Sequence, residues 1–185
     1  AVLAAANFRR LSTVQHMWLM ALDAAAAPAP ATAWERRGGL RWIDASQIAF
    51  DRLAKLVDDT FVDTLDCPAL NGLRSQRQVL EGFLEGVPLR SIRHWEVLEL
   101  EGELVGCLLL KQHEQQTIEL GYMGIVPHQR GWGLGHALLN RSITQALRLD
   151  ARHLVVAVDT NNAPAVQLYL RYGFLTDSLC SVWLL

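Results

Sequence analysis

Glycines at alternate positions, Gly131, Gly133 and Gly135, stand between an apolar run ending at Val126 and a helical run over residues 134–149. This junction constrains the chain more than any other feature. Glycine tolerates positive φ and leaves room for backbone N–H groups to converge on one point. Because the loop opens a helix, the unpaired N–H groups of the first turn and the positive end of the dipole face that point too. Phosphate or pyrophosphate binds at such a place. The competing reading is a tight turn whose glycines serve packing.

Two familiar phosphate loops do not fit. The Walker loop requires Lys followed by Ser or Thr where His136-Ala137 stands. The dinucleotide fingerprint requires a third glycine where His136 or Leu138 stands, depending on the start. Arg-x-x-Gly-x-Gly is satisfied by Arg130-Gly131-Trp132-Gly133-Leu134-Gly135.

The surrounding pattern is mixed. Residues 40–43 read as a strand, and Asp44, Ser46 and Gln47 offer capping chemistry for a helix bearing Ile48, Leu53, Leu56, Val57 and Phe61 at helical spacing. Ser75 is placed to cap a second helix carrying Val79, Leu80, Phe83 and Leu84. Residues 95–100 and 104–111 form a hairpin around Gly102, and residues 117–126 make a further strand. After the helix over 134–149 come a buried strand at 153–158, a helix at 163–172, and two short strands starting at Phe174 and Cys180. A strand–helix–strand unit of this length is a right-handed crossover, so strands 117–126 and 153–158 are expected to be parallel neighbours. Ligands collect beyond the carboxyl ends of such strands. The fold class is α/β in the mixed α+β sense, with one mixed central sheet and flanking helices.

A second element follows that buried strand. Asn162, Ala165, Leu168, Tyr169, Gly173 and Phe174 satisfy Asn-x-x-Ala-x-x-Leu-Tyr-x-x-x-Gly-Phe at each specified position. Asn162 can cap the helix or hydrogen-bond a ligand amide. Ala165 is small enough to let a ligand arm pass, and Tyr169 lies two turns along the same face. With both elements in this order, the chain resembles the GCN5-related N-acetyltransferase (GNAT) superfamily, and within it the tandem members of the mycothiol-synthase type. The layout covers residues 40–185, while the specific motifs lie within 117–174.

The resemblance implies a GNAT fold whose parallel fourth and fifth strands splay apart. It implies acetyl-CoA as cosubstrate, no metal, and direct transfer of the acetyl group to an amine acceptor, either a small molecule or a peptide. Coenzyme-binding positions carried over are Arg130, Gly131, Trp132, Gly133, Leu134, Gly135, His136, Asn162 and Ala165. Backbone groups of Met123, Gly124 and Ile125 are expected to pair with the pantetheine arm like an added strand. Tyr169 takes the family's tyrosine position, facing the leaving sulfur. Its unperturbed pKa of about 10 lies above a thiol's at about 8.5, so hydrogen bonding fits better than full proton transfer. Its alternative is a core aromatic. Glu119 is the candidate base, against an exposed strand charge, and Asp63, Asp66 and Glu114 are acids able to face a cationic amine. A non-catalytic acyl-CoA-binding module on the same fold is the rival function, and an unrelated nucleotide-binding protein a weaker one.

Composition excludes little but points consistently. A net charge of −2 argues against nucleic acid as partner. No apolar run reaches membrane-spanning length. Cys67, Cys107 and Cys180 have neither disulfide nor zinc spacing, and His113, His128, His136 and His153 are scattered. The expected setting is cytoplasmic, as monomer or homodimer. Residues 24–33, rich in Ala and Pro, read as a linker between a segment at 1–23 and a domain at 34–185. Phe8, Ser12 and Trp18 faintly echo Phe174, Ser178 and Trp183, so residues 1–23 are expected to be closing strands left from an upstream GNAT half. The alternative is a helical wrap.

Overall fold

The computed structural model describes residues 8–20, 22, 39–73, 75–84, 94–113 and 116–184. The 24–33 stretch and Glu114 lie outside them. Strands are β1 (Arg9–Leu19), β2 (Leu40–Asp44), β3 (Trp95–Leu100), β4 (Glu103–Gln112), β5 (Thr117–Ile125), β6 (His153–Asp159) and β7 (Leu175–Leu184). Helices are α1 (Phe50–Phe61), α2 (Gln76–Leu84), α3 (Leu134–Arg148) and α4 (Ala163–Arg171). One mixed sheet runs β2-β3-β4-β5-β6-β1-β7.

Local chemistry accounts for most element ends. Glu101 and Gly102 both have positive φ, 52° and 89°, as a two-residue turn between β3 and β4 demands. Ser75 Oγ accepts the Gln78 N–H while Gln78 Oε1 accepts the Ser75 N–H, a reciprocal cap on α2. Asp44 behaves differently from expectation. Its carboxylate caps Ser46 N–H, but this closes only a 3-10 turn at Ala45–Gln47, and α1 starts at Phe50 after extended backbone at Ile48.

Pairing on β4 separates the two faces of the sheet. A Cβ on Gly106 would meet Leu138 of α3, whereas one on Gly124, opposite Cys107, would meet Thr60 of α1. Neighbouring residues of a strand point to opposite faces, so α1 and α3 pack on opposite sides. Leu98, Leu108, Leu110, Leu138, Leu154 and Phe174 are sealed between the layers. Each such side chain contributes roughly 1.5–3 kcal/mol by leaving water.

The parallel pair opens part-way. β5 and β6 are in register from Thr117↔His153 to Leu120↔Val156 and pair no further, although both strands continue. The cause lies on the other edge of β5. Against β4, Leu110 pairs with Leu120 but Leu109 pairs with Tyr122, leaving Gly121 as an extra residue. A bulge of this kind bends its strand, here away from β6. The regular alternation of 119, 121, 123 and 125 is therefore broken: Gly121 faces Phe83 of α2, and Gly124 faces Thr60.

At the far side, residues 9–19 are a strand, not a helical wrap. β1 lies between β6 and β7, antiparallel to both, with Val14 opposite Asp159 and Arg9 opposite Leu184. Its Met17 is fully buried. The end of the chain differs from expectation as well. One strand, β7, replaces two short ones, because β1 pairs along its whole length, across two register shifts, and no Gly or Pro interrupts residues 175–184.

Candidate functional site

The parting of β5 from β6 opens a cleft of ≈ 630 Å³. Its walls come from β5 (residues 120–125), the glycine loop with the first turn of α3, β6 (156–158), α4, and the segment after α1. Of the residues predicted for the coenzyme, Met123, Gly124, Ile125, Arg130, Gly131, Gly133, Leu134, Gly135, His136, Asn162 and Ala165 line it, as does Tyr169. Trp132 does not; it is 65% exposed at the loop's tip. Glu119 lies outside the lining as well.

The loop has the geometry of an anion cradle. Gly131 and Gly133 adopt φ of 79° and 84°, and Gly133 is the residue before α3. The amides of Gly131, Gly133, Leu134 and Gly135 have no backbone acceptor among the described residues, so they remain available to a ligand. A Cβ on Gly135 would make an ordinary contact, 3.4 Å from Leu168 of α4. His136 faces Tyr172 across the mouth of the cleft, with Nδ1 3.2 Å from the phenol oxygen.

Arg130 is deployed in a way its motif position did not suggest. Nε donates to Ile125 O at 3.0 Å, Nη1 to Asp63 O at 3.2 Å, and Nη2 to Thr60 O at 2.9 Å and Val62 O at 2.7 Å. The guanidinium thus caps the C-terminal end of α1, where cations are favoured, and ties the glycine loop to the segment after that helix. Its backbone N–H is also used, by Pro127 O. What Arg130 offers an anion in the cleft is charge.

Beyond Leu120 the β6-facing edge of β5 has no strand partner among the described residues, so it can accept an extended ligand. Gly124 has its own reason to be glycine. A Cβ there would lie 2.6 Å from both Thr60 Oγ1 and the Tyr122 hydroxyl, which bond each other at 2.8 Å. Tyr122 stacks on Phe61 with ring centroids 5.0 Å apart. Neither Thr60 nor Tyr122 was read as a site residue. The available signal was a polar Thr60 on the apolar stripe of α1.

On the other wall, Asn162 caps α4 by accepting the Ala165 N–H at 3.4 Å, which leaves its amide group to the cleft. Tyr169 is buried beside Phe174, ring centroids 5.4 Å apart. No described residue hydrogen-bonds its hydroxyl. Burial, and secondly the charge of Asp66, hold this phenol well above its ordinary pKa, so it stays protonated and can only donate or share its hydrogen.

The acids divide sharply. Glu119 Oε2 stands 2.6 Å from His113 Nε2, and both side chains are partly exposed. Asp159 is sealed, and its oxygens accept from Ser12 Oγ, Cys67 N, Asn161 N and Asn161 Nδ2. Burial would raise its pKa, but these donors prevail and hold it below the usual carboxylate range. Asp66 lines the cleft and is raised, by burial first and by the neighbouring Asp159 charge, despite a bond from the Asp159 N–H. Among the described residues, no three His, Cys, Asp or Glu gather in a way that would hold a metal. No described helix is long and apolar enough to cross a membrane.

Comparison with known proteins agrees with this geometry. Mycothiol acetyltransferase of Streptomyces avermitilis is 39% identical over 82 residues, 42% of this chain and 26% of that protein. The enzyme of the same name from Corynebacterium glutamicum strain R is 33% identical over 72 residues, 39% of this chain and 25% of that one. The matched part is thus about a quarter of the length of these curated relatives. Among solved structures, a GCN5-related N-acetyltransferase from Sphaerobacter thermophilus superposes with a TM-score of 0.70 at 18% identity, over 98% of this chain and 54% of that one. A tandem GNAT protein from the clavulanic acid biosynthesis pathway gives 0.64 at 19%, over 98% and 56%. These likenesses establish the fold. The Acetyltransferase (GNAT) family itself matches residues 65–174, more than half the chain and the cleft lining from Leu65 to Arg171, and the chain belongs to that family.

Proposed function

We propose that this chain transfers an acetyl group from acetyl-CoA directly to an amine. The observation that carries the reading is convergence: free loop amides, an unpaired strand edge and an unbonded tyrosine hydroxyl all open into one cleft. The diphosphate of the coenzyme lies on the amides of Gly131, Gly133, Leu134 and Gly135, with the Arg130 charge nearby. The pantetheine arm runs along Met123, Gly124 and Ile125, past Ala165, toward Tyr169.

The amine nitrogen attacks the thioester carbonyl, the C–N bond forms, and the C–S bond breaks. A backbone N–H of β5 steadies the oxyanion, and Tyr169 hydrogen-bonds the departing thiolate. Glu119 takes the amine proton through water. It shares a sheet face with Gly121, one side-chain position further along β5, or about 7 Å. His113 beside it extends the relay. Residues 1–23 read as the closing part of a preceding unit of the same family, tethered by residues 24–33. The antiparallel docking of β1 beside β7 supports this.

The test is thiol release from acetyl-CoA over a panel of amines, with coenzyme affinity measured in parallel by calorimetry. Tyr169→Phe is expected to lower turnover roughly 100-fold, the loss of one transition-state hydrogen bond, and Glu119→Gln to lower it within a general base's usual range of about 100- to 10,000-fold. Both variants should keep their coenzyme affinity. Tight coenzyme binding without turnover on any amine would instead indicate a binding module.

A further inference from the structure

Asp66 and Asp159 lie against each other, yet their carboxylates are used very differently. Asp159 has both oxygens filled by four donors and is closed to solvent. Asp66 has one bond, from the Asp159 N–H to Oδ1 at 2.7 Å. Its Oδ2 has no donor among the described residues and is not among the buried unpaired atoms, so it opens into the cleft that Asp66 lines.

The carboxylate is also fixed in place. Asp66 N–H bonds Thr64 Oγ1 at 3.1 Å, and the next residue, Cys67, is held at φ 44° with its N–H on Asp159 Oδ2. A non-glycine residue in that conformation costs about 1–3 kcal/mol and persists where the surroundings over-determine it. The strain thus sits beside a half-buried cleft acid that has a spare oxygen. Tyr169 lines the same cleft, so carboxylate and phenol open into one space.

An unfilled carboxylate oxygen in a half-dry cleft calls for a cation with several N–H groups. We infer that Asp66 Oδ2 holds the acceptor's ammonium group, which makes Asp66 a specificity-determining residue and the acceptor a primary amine that arrives charged. This rests on the acetyl-transfer reading and deepens it. Arylamines and alcohols, which bring no positive charge, are poor partners for this wall. The ammonium must still lose a proton before attack, so Asp66 selects the acceptor and does not carry out the transfer.

The test is a carbon-13 NMR titration of the aspartate carboxyl signals in the full chain, with and without coenzyme A. Asp66 is assigned by its disappearance in Asp66→Asn, where the amide oxygen can still accept the Asp159 N–H. The titrants are n-butylammonium chloride and 1-butanol at constant ionic strength. A saturating shift of the Asp66 signal by butylammonium and not by butanol is expected. Loop and cleft amides of Asp66→Asn should need roughly 10- to 100-fold more butylammonium for the same response, the value of one hydrogen bond to a charged group. An Asp66 signal that ignores butylammonium, or answers butanol equally, overturns the inference. The two readings separate cleanly: if coenzyme A fails to shift the amides of Gly131 and Gly133, the acetyl-transfer reading falls. A loaded loop with a silent Asp66 defeats this inference alone.

Discussion

Thr60 on α1 and Gly124 on β5 touch so closely that a side chain on the glycine would place its Cβ 2.7 Å from the threonine Cβ. The contact fixes the distance between helix and strand on one wall of the cleft. Gly124→Ala is expected to force α1 and β5 apart and to lower stability by about 1–3 kcal/mol, the usual cost of overpacking. Urea denaturation checks it. A variant as stable as the parent would mean that α1 gives way freely.

Gly133 makes the opposite case. Space is open around it, with no atom within 4 Å of an added Cβ, but φ is 84°. Gly133→Ala should therefore cost conformational energy alone, about 1–2 kcal/mol. If the alanine relaxes toward negative φ, the loop amides turn away and coenzyme affinity falls roughly tenfold, the same energy expressed in binding. Calorimetry with coenzyme A measures this. Unchanged affinity and unchanged stability together would contradict it.

Arg130→Lys keeps the charge but loses the planar fork that serves four carbonyls. A stability loss of about 2 kcal/mol is expected from bonds to a charged donor. Because three of those carbonyls belong to α1 and the segment after it, the loss should appear as faster amide hydrogen exchange near residues 60–66. Protection unchanged in that stretch would refute the role.

Ser12→Ala removes one donor from Asp159. With its pKa held low in the fold, Asp159 contributes stability that is present above its unfolded pKa of about 3.9 and is lost as pH falls through the lower folded value. Losing Ser12 raises that folded value. Acid unfolding of the variant should begin at higher pH than that of the parent, with the difference shrinking at still lower pH where both forms are protonated. Fluorescence along an acid titration follows it. Asp66 has the reverse sign: its raised pKa favours the fold when protonated, and that contribution fades as pH rises through the folded value.

Local chemistry made the motif region legible. Strand, glycine loop, helix, strand and helix from Thr117 to Phe174 follow from periodicity, glycine placement and the Asn162 cap, all within a few residues of where they act. The parallel pairing followed from the length of the crossover. What stayed hidden depends on distant partners. A glycine inside a strand hints at a bulge, but residues 117–125 hold two, and only the register against β4 assigns the one that opens the cleft to Gly121. Arg130 stands at the loop, but nothing in its motif says that its side chain turns to the end of α1. Asp66 stood out from its neighbours only once Asp159 could be seen to hold one of its oxygens and leave the other.

The seat of β1 has a consequence for how the molecule is made. Arg9 to Leu19 leave the ribosome well before their partners, residues 154–159 and 175–184, have been made. Until then a strand with a buried methionine lacks the two neighbours that cover it in the fold, and long-range closure of this kind is slow. A nascent chain stalled before β6 would carry that segment without these two strands, which makes the interval before β6 and β7 emerge one of exposure to aggregation.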